Sequence, residues 1–150
     1  MSDLNLFDTY LQRWSAQAAG KPFVTPTSNL LPVRLTGKLE GLPAMIKITQ
    51  DLDECIGGQV LQWWDGTGAA RVYACAPDSG ALLMERATGS KHLLRMALEG
   101  EDDAAITSIC HTLHQLHSNR PSAPPEKLLP LTDFFRSLAP IAQQEGGLMA

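Results

Sequence analysis

Cysteine is scarce in this chain, and its placement excludes a disulfide framework. Cys55, Cys75 and Cys110 are odd in number, far apart and form no CxxC pair. Free thiols in a reducing cytoplasm are the simplest reading. Long apolar runs are also missing, and no stretch approaches the ~20 residues that a membrane helix needs. The opening Met1-Ser2-Asp3-Leu4-Asn5 has neither the basic nor the apolar region of a signal peptide. A cytoplasmic protein without membrane contact is therefore expected. No basic block exists: 12 Lys and Arg are interspersed with 16 Asp and Glu, for a net charge of -4. That balance excludes the footprint of a nucleic-acid binder. No internal repeat is found.

What is present suits one ordinary domain with a real core, since 150 residues at 44% apolar content lie within the globular range. Leu4, Phe7, Leu11 and Trp14 recur at helical spacing, with Asp3 as a cap and Gly20 as a stop. Residues 22–32 are broken by prolines into short extended pieces. Val33-Arg34-Leu35-Thr36 alternates as a half-buried strand does. Glu40 to Pro43 turns the chain, and Ala44 to Thr49 returns as the partner strand. Asp51 to Trp64 reads as a helix, weakened by about 1 kcal/mol for each of Gly57 and Gly58. Residues 70–76 and 81–87 read as a hairpin around Pro77-Asp78-Ser79-Gly80. Glycines at 89 and 100 mark a boundary, after which the chain turns helical. Asp102 and Asp103 open a stripe of Ile106, Ile109, Cys110, Leu113 and Leu116. After the proline-rich loop 119–125, a last helix runs from Leu131 to Gln144, capped by Thr132. Strands first and helices later argue an α+β fold, and the local hairpins argue an antiparallel sheet.

One residue in the partner strand stands out. Lys47 lies among Met45, Ile46 and Ile48, and a buried ammonium needs an anion or a carboxylate. Strand alternation turns Met45, Lys47 and Thr49 away from the Ile46 and Ile48 face. If the isoleucine face is the core, the lysine face lines a cleft. The acidic run Asp51-Leu52-Asp53-Glu54 lies close enough in sequence to supply a carboxylate. Lys47 could also reach water as a snorkelling strand lysine.

Other constellations carry less. His111, His114 and His117 recur every third residue, but no carboxylate stands at zinc spacing, so no metal ligand is assigned. No cysteine has an adjacent base. Ser79 and Ser118 lie in turns with no triad pattern. Trp63 and Trp64 read as anchors of the helix to the sheet.

Four ordered blocks resemble the aminoglycoside/hydroxyurea antibiotic resistance kinases, a group that includes streptomycin 6-phosphotransferases. They are Trp63-Trp64-Asp65-Gly66-Thr67-Gly68-Ala69-Ala70-Arg71-Val72; Ala81 to Gly89; Asp102-Asp103 with Leu113-His114-Gln115-Leu116-His117; and Leu129-Pro130-Leu131-Thr132-Asp133-Phe134-Phe135. The similarity runs over roughly residues 22–148, and four blocks in order are more specific than any single motif.

The resemblance implies a kinase-like small lobe, an antiparallel sheet with one helix, followed by the first helices of an incomplete large lobe. In domain terms this means an N-terminal helix at 1–21, the small lobe and hinge at 22–88, and the start of the helical lobe at 89–150. It implies ATP and Mg²⁺ as cofactors, and γ-phosphoryl transfer to a hydroxyl of a small-molecule acceptor. Lys47 matches the strand lysine that neutralises the α- and β-phosphates. Glu54 best matches the helix carboxylate that holds it, although Asp53 is adjacent, Gln59 occupies another turn, and an acid there also complements the helix dipole. Met84 to Ala87 matches the hinge, with Glu85 C=O and Ala87 N–H reading adenine.

Two departures stand out. The phosphate-loop position holds Thr25-Pro26-Thr27-Ser28-Asn29-Leu30-Leu31 in place of a glycine-rich run. Thr27 and Ser28 are its candidate donors, while Pro26 has no N–H and the whole segment also suits a plain turn. The second departure is that no His-Gly-Asp-type catalytic loop and no Ile-Asp-Pro-type metal segment occurs in the sequence. No general base or Mg²⁺ ligand is therefore assigned, and the chain is expected to be a fragment or truncated product, inactive alone. A non-catalytic nucleotide- or protein-binding module, self-associating through exposed large-lobe helices, is the alternative. A poorly folded remnant is the third reading.

Overall fold

A proline that would normally end a strand lies inside one here. The computed structural model describes residues 5–90, 92–128, 130–138 and 140–141. In it β3 runs over Ser28–Leu35, longer than the expected 33–36, and passes straight through Pro32. The reason is its neighbour. On that edge β1 (Ala16–Ala18) pairs up to Val33, and β2 (Phe23–Val24) pairs from Leu30. Pro32 thus faces the gap between two short edge strands, where its missing N–H breaks no ladder, while its carbonyl accepts from Ala19 N–H at 2.8 Å.

The sheet has six antiparallel strands. β4 (Pro43–Thr49), β5 (Val72–Ala76) and β6 (Ala81–Glu85) complete it, in the order β1-β3-β4-β6-β5 with β2 also on β3. The expected hairpin of β5 and β6 forms around Gly80 in a left-handed turn. It docks with β6 innermost, so that Ile46 faces Leu83 and Lys47 faces Leu82.

Strand alternation then separates two faces. Leu31, Val33, Ile46, Ile48, Ala81 and Leu83 are buried on one, together with Phe7, against which Tyr10, Leu11 and Trp14 pack. Full burial of each large side chain in this layer contributes ~1.5–3 kcal/mol. α1 (Asp8–Arg13) covers this face. It is shorter than expected and ends at Trp14, because Ser15 takes a left-handed backbone (φ 47°) and turns the chain into β1. Gly20 is therefore not its stop, and Asp3 and Leu4 lie outside the described residues.

α2 (Leu52–Trp64) covers the opposite face. Asp51 caps it as a side-chain acceptor for Glu54 N–H at 3.0 Å. Gly58 is its sole fully buried residue and sits against Leu82, whose methyl would lie 3.0 Å from an added Cβ. One of the two helix-weakening glycines thus gives close helix–sheet approach; Gly57 has open space around it.

The helical part begins with α3 (Leu93–Leu98), which the sequence reading did not single out. α4 (Asp102–Leu116) carries both aspartates in its first turn, as expected, but of its residues Ala105 alone is fully buried. α5 (Leu131–Phe134) starts after Pro130, so Thr132 lies inside it and is not its cap. A turn at 135–137 interrupts the helix expected to reach Gln144, and residues 142–144 lie outside the described residues.

Two glycine substitutions should move stability in opposite directions. Gly57→Ala should gain up to about 1 kcal/mol, because the position is helical and unobstructed. Gly80→Ala should lose about 3 kcal/mol, from left-handed strain plus a Cβ that would fall 2.0 Å from Thr49 O. Urea unfolding of the two variants checks both signs.

Candidate functional site

The lysine face of the sheet opens into a cleft of about 630 Å³. All six residues expected to contact nucleotide line it: Thr27, Ser28, Lys47, Glu54, Glu85 and Ala87. Met45, expected on the lysine face, and Met84, expected in the hinge, form apolar walls together with Leu30 and Ala70, for which the sequence suggested no such place. Their signal was available, since Leu30, Met45 and Met84 lie on strands that flank or contain Lys47 and share its face by register.

Lys47 Nζ and the Glu54 carboxylate form an ion pair across the gap between β4 and α2. Of the open candidates for the helix carboxylate, the structure brings Glu54 to the lysine. Asp53 and Asp51 are exposed, and Asp51 serves as the cap. The Lys47 side chain is 20% exposed and that of Glu54 33%, so the pair is only partly shielded from solvent.

A polar relay ties this pair to the loop before β3. Thr27 Oγ1 donates to Glu54 Oε1 at 2.9 Å. Thr49 Oγ1 donates to Thr27 O at 2.7 Å and accepts from Asp51 N–H at 3.1 Å. The loop is a tight turn, with Thr25 N–H donating to Ser28 O at 2.8 Å and Ser28 N–H donating to Thr25 Oγ1 at 3.1 Å. It therefore takes a hairpin-turn shape without glycine. The Thr27 hydroxyl is committed to Glu54, whereas Ser28 Oγ is buried with no hydrogen-bond partner. A buried hydroxyl left unpaired calls for an explanation.

Glu54 titrates below the ordinary carboxyl value of 4.5, first because of the Lys47 hydrogen bond; burial opposes the shift and the Thr27 bond assists it. At the other end of the cleft, Glu85 is held in place by Arg71. Its N–H donates to Arg71 O at 2.7 Å and its carboxylate accepts from Arg71 N–H at 3.2 Å. Arg86 N–H reaches Pro43 O at 3.4 Å, and Ala87 N–H has no acceptor among the described residues. The strand thus runs out of the sheet at Ala87 with a donor to spare.

One of the two tryptophans has partners other than those expected. Trp63 is not an anchor to the sheet: its indole N–H donates to Ser122 O at 2.9 Å, and the Arg120 guanidinium lies over its ring. Its half-buried ring finds better partners in the segment after α4 than on the strands. Among the described residues no group of three or more His, Cys, Asp or Glu stands where it could hold a metal ion. No described helix is long and apolar enough to cross a membrane.

A strand lysine paired with the carboxylate of the next helix, over a cleft that ends at an outgoing strand, defines a kinase-like small lobe. Residues 13–150 match the profile of the aminoglycoside/hydroxyurea antibiotic resistance kinases, and the chain belongs to that family. A streptomycin 3''-kinase of Klebsiella pneumoniae is 42% identical over 92% of this chain and 49% of its own length. A hydroxyurea phosphotransferase of Kitasatospora aureofaciens is 30% identical over 94% of this chain and 40% of its own. The chain thus spans about half the length of these curated relatives or somewhat less. No solved structure gives a significant match.

Because the Glu54 carboxyl titrates lower in the folded state, its contribution to stability is present above pH 4.5 and is lost as pH falls through the depressed folded value. Glu54→Gln should flatten that acid limb and cost about 1 kcal/mol or less at neutral pH. Melting temperatures recorded from neutral pH down through this window decide it. An unchanged acid slope in the variant would count against the pair as its source.

Proposed function

We propose that this chain forms the nucleotide-binding part of an ATP-dependent small-molecule phosphotransferase that passes the γ-phosphoryl group to a hydroxyl of an aminoglycoside- or hydroxyurea-like acceptor. The observation that carries the proposal is the Lys47–Glu54 pair at the cleft. Lys47 would neutralise the α- and β-phosphates, where phosphoryl transfer needs electrostatic help, and Glu54 would hold its ammonium in place. Adenine would lie between Leu30, Met45 and Met84, read by Glu85 C=O and Ala87 N–H. The spare donor at Ala87 and the apolar walls support that pose. Ser28 Oγ, buried and unpaired, is a donor suited to a phosphate oxygen. Thr27 would act through Glu54, the group its hydroxyl already contacts.

The family implies ATP with a divalent metal, but no described residue is assigned here as a metal ligand. The relatives' names make streptomycin and hydroxyurea the first acceptors to try. Three free thiols support a cytoplasmic setting. Residues 1–150 hold no His-Gly-Asp-type loop, so the chain by itself is expected to bind nucleotide without turning it over. Calorimetric titration with MgATP tests the site. Lys47→Ala should weaken binding roughly 10- to 100-fold, the worth of one charged contact. No binding by the wild type, or robust transfer to streptomycin by purified 1–150, would overturn the respective part.

The exposed apolar side chains of the last helices favour a second reading, a binding module that associates through them. Ile106, Ile109 and Leu113 on α4, and Phe134 on α5, are all exposed. Sedimentation velocity over a concentration series should then show self-association. A monomer at every concentration rejects that reading.

A further inference from the structure

Helix α2 is held at its two ends by unlike means. Its first turn is fixed locally by the Asp51 cap and the Thr27–Glu54 contact. Between the ends Gly58 is its only fully buried residue, with Ile56, Val60 and Leu61 half-buried beside it. Its last turn is held from a distance in sequence. Trp63 Nε1 donates to the carbonyl of Ser122, 59 residues away.

One side chain organises that far end. The guanidinium carbon of Arg120 lies 4.9 Å from the centre of the Trp63 ring. Its Nη1 donates to Leu116 O at 2.7 Å and to Ser118 O at 2.9 Å, and its Nη2 donates to Gln115 O at 3.1 Å. Nη2 also reaches Thr67 O at 3.4 Å, in the turn that follows α2. Gln115 O and Leu116 O belong to the last turn of α4, where helix acceptors lack intrahelical donors, and Ser118 O lies just beyond it. A planar cation with forked donors can cap one helix and stack on another at once; a lysine cannot. The two segments also touch directly, with Gln115 and Leu116 side chains 3.1 Å from where a Cβ on Gly68 would lie.

We propose that Arg120 is a positioning residue for the Lys47–Glu54 pair. By clamping Trp63 to the end of α4 it fixes the far end of α2, roughly 14 Å along the axis from Glu54, and so completes the hold on Glu54 that the Asp51 cap and the Thr27 contact begin. The inference takes its purpose from the nucleotide-binding reading above, yet its test needs no nucleotide, so the two can fail separately.

The readout is the acylation rate of the Lys47 amine in the whole chain, mapped by peptide mass spectrometry with Lys21 and Lys38 as internal references. Glu54→Gln sets the rate for an unpaired lysine. Arg120→Ala should raise the Lys47 rate several-fold toward that value, with the reference lysines unchanged. Arg120→Lys should fail to restore it. Trp63→Leu, which leaves the Arg120 bonds to α4 in place, should give the same rise. A Lys47 rate at the wild-type level in Arg120→Ala overturns the proposal even if the melting temperature falls, because that result marks a merely structural contact. Should both variants unfold, native-state hydrogen exchange of the wild type decides. Amides of residues 54–58 and 117–122 should open in one step, and independent opening refutes the clamp.

Discussion

The cleft side of the small lobe is arranged around the Lys47 ammonium and the carboxylate that meets it. Lys47 sits on an inner strand, under a helix, on a sheet whose other side is sealed by apolar residues. Removing its partner would leave a partly buried charge with only the cleft to answer it. Satisfying it requires Glu54 on the first turn of α2, which requires the cap at Asp51, which in turn depends on Thr49 accepting from Asp51 N–H. The polar face is therefore a chain of dependencies, each link a single polar contact.

The other face works differently. Its contacts are apolar and numerous, and they supply most of the favourable free energy of the lobe. This division lets the cleft side keep an unsatisfied buried group such as Ser28 Oγ without endangering the fold. A site is cheap to hold open when the layer behind it is closed.

Much of this was legible in the chain. Alternation around Lys47 told which side chains share its face, because a period of two leaves no freedom once one face is apolar. The turn at Gly80 and the helix opened by Asp51 were equally plain. Less visible were features set by distant partners. The strand through Pro32 is longer than the sequence suggests, because a proline's tolerance depends on which neighbour it faces, and the gap between β1 and β2 leaves no local signal. Trp63 was given to the sheet, since nothing near it in sequence points to Arg120. Ser15 ended α1 early through a backbone conformation that no composition signal announces. The choice between Asp53 and Glu54 was open for the same reason: a one-residue shift moves a side chain about 100° around a helix, and the local pattern allowed either.

The strand order carries a consequence for how the chain comes together. β3 and β4 meet through a short connection, but the strand that flanks β4 on its other side is β6, with α2 and β5 made in between. Until residues 81–85 have been synthesised, one edge of the lysine strand has no partner and its backbone groups stay open to any other extended segment. Closing that long loop is also the entropically slow step, because contacts far apart in sequence are rewarded last. The arrival of β6 therefore does two things at once: it covers the open edge of the lysine strand and gives the cleft its second wall.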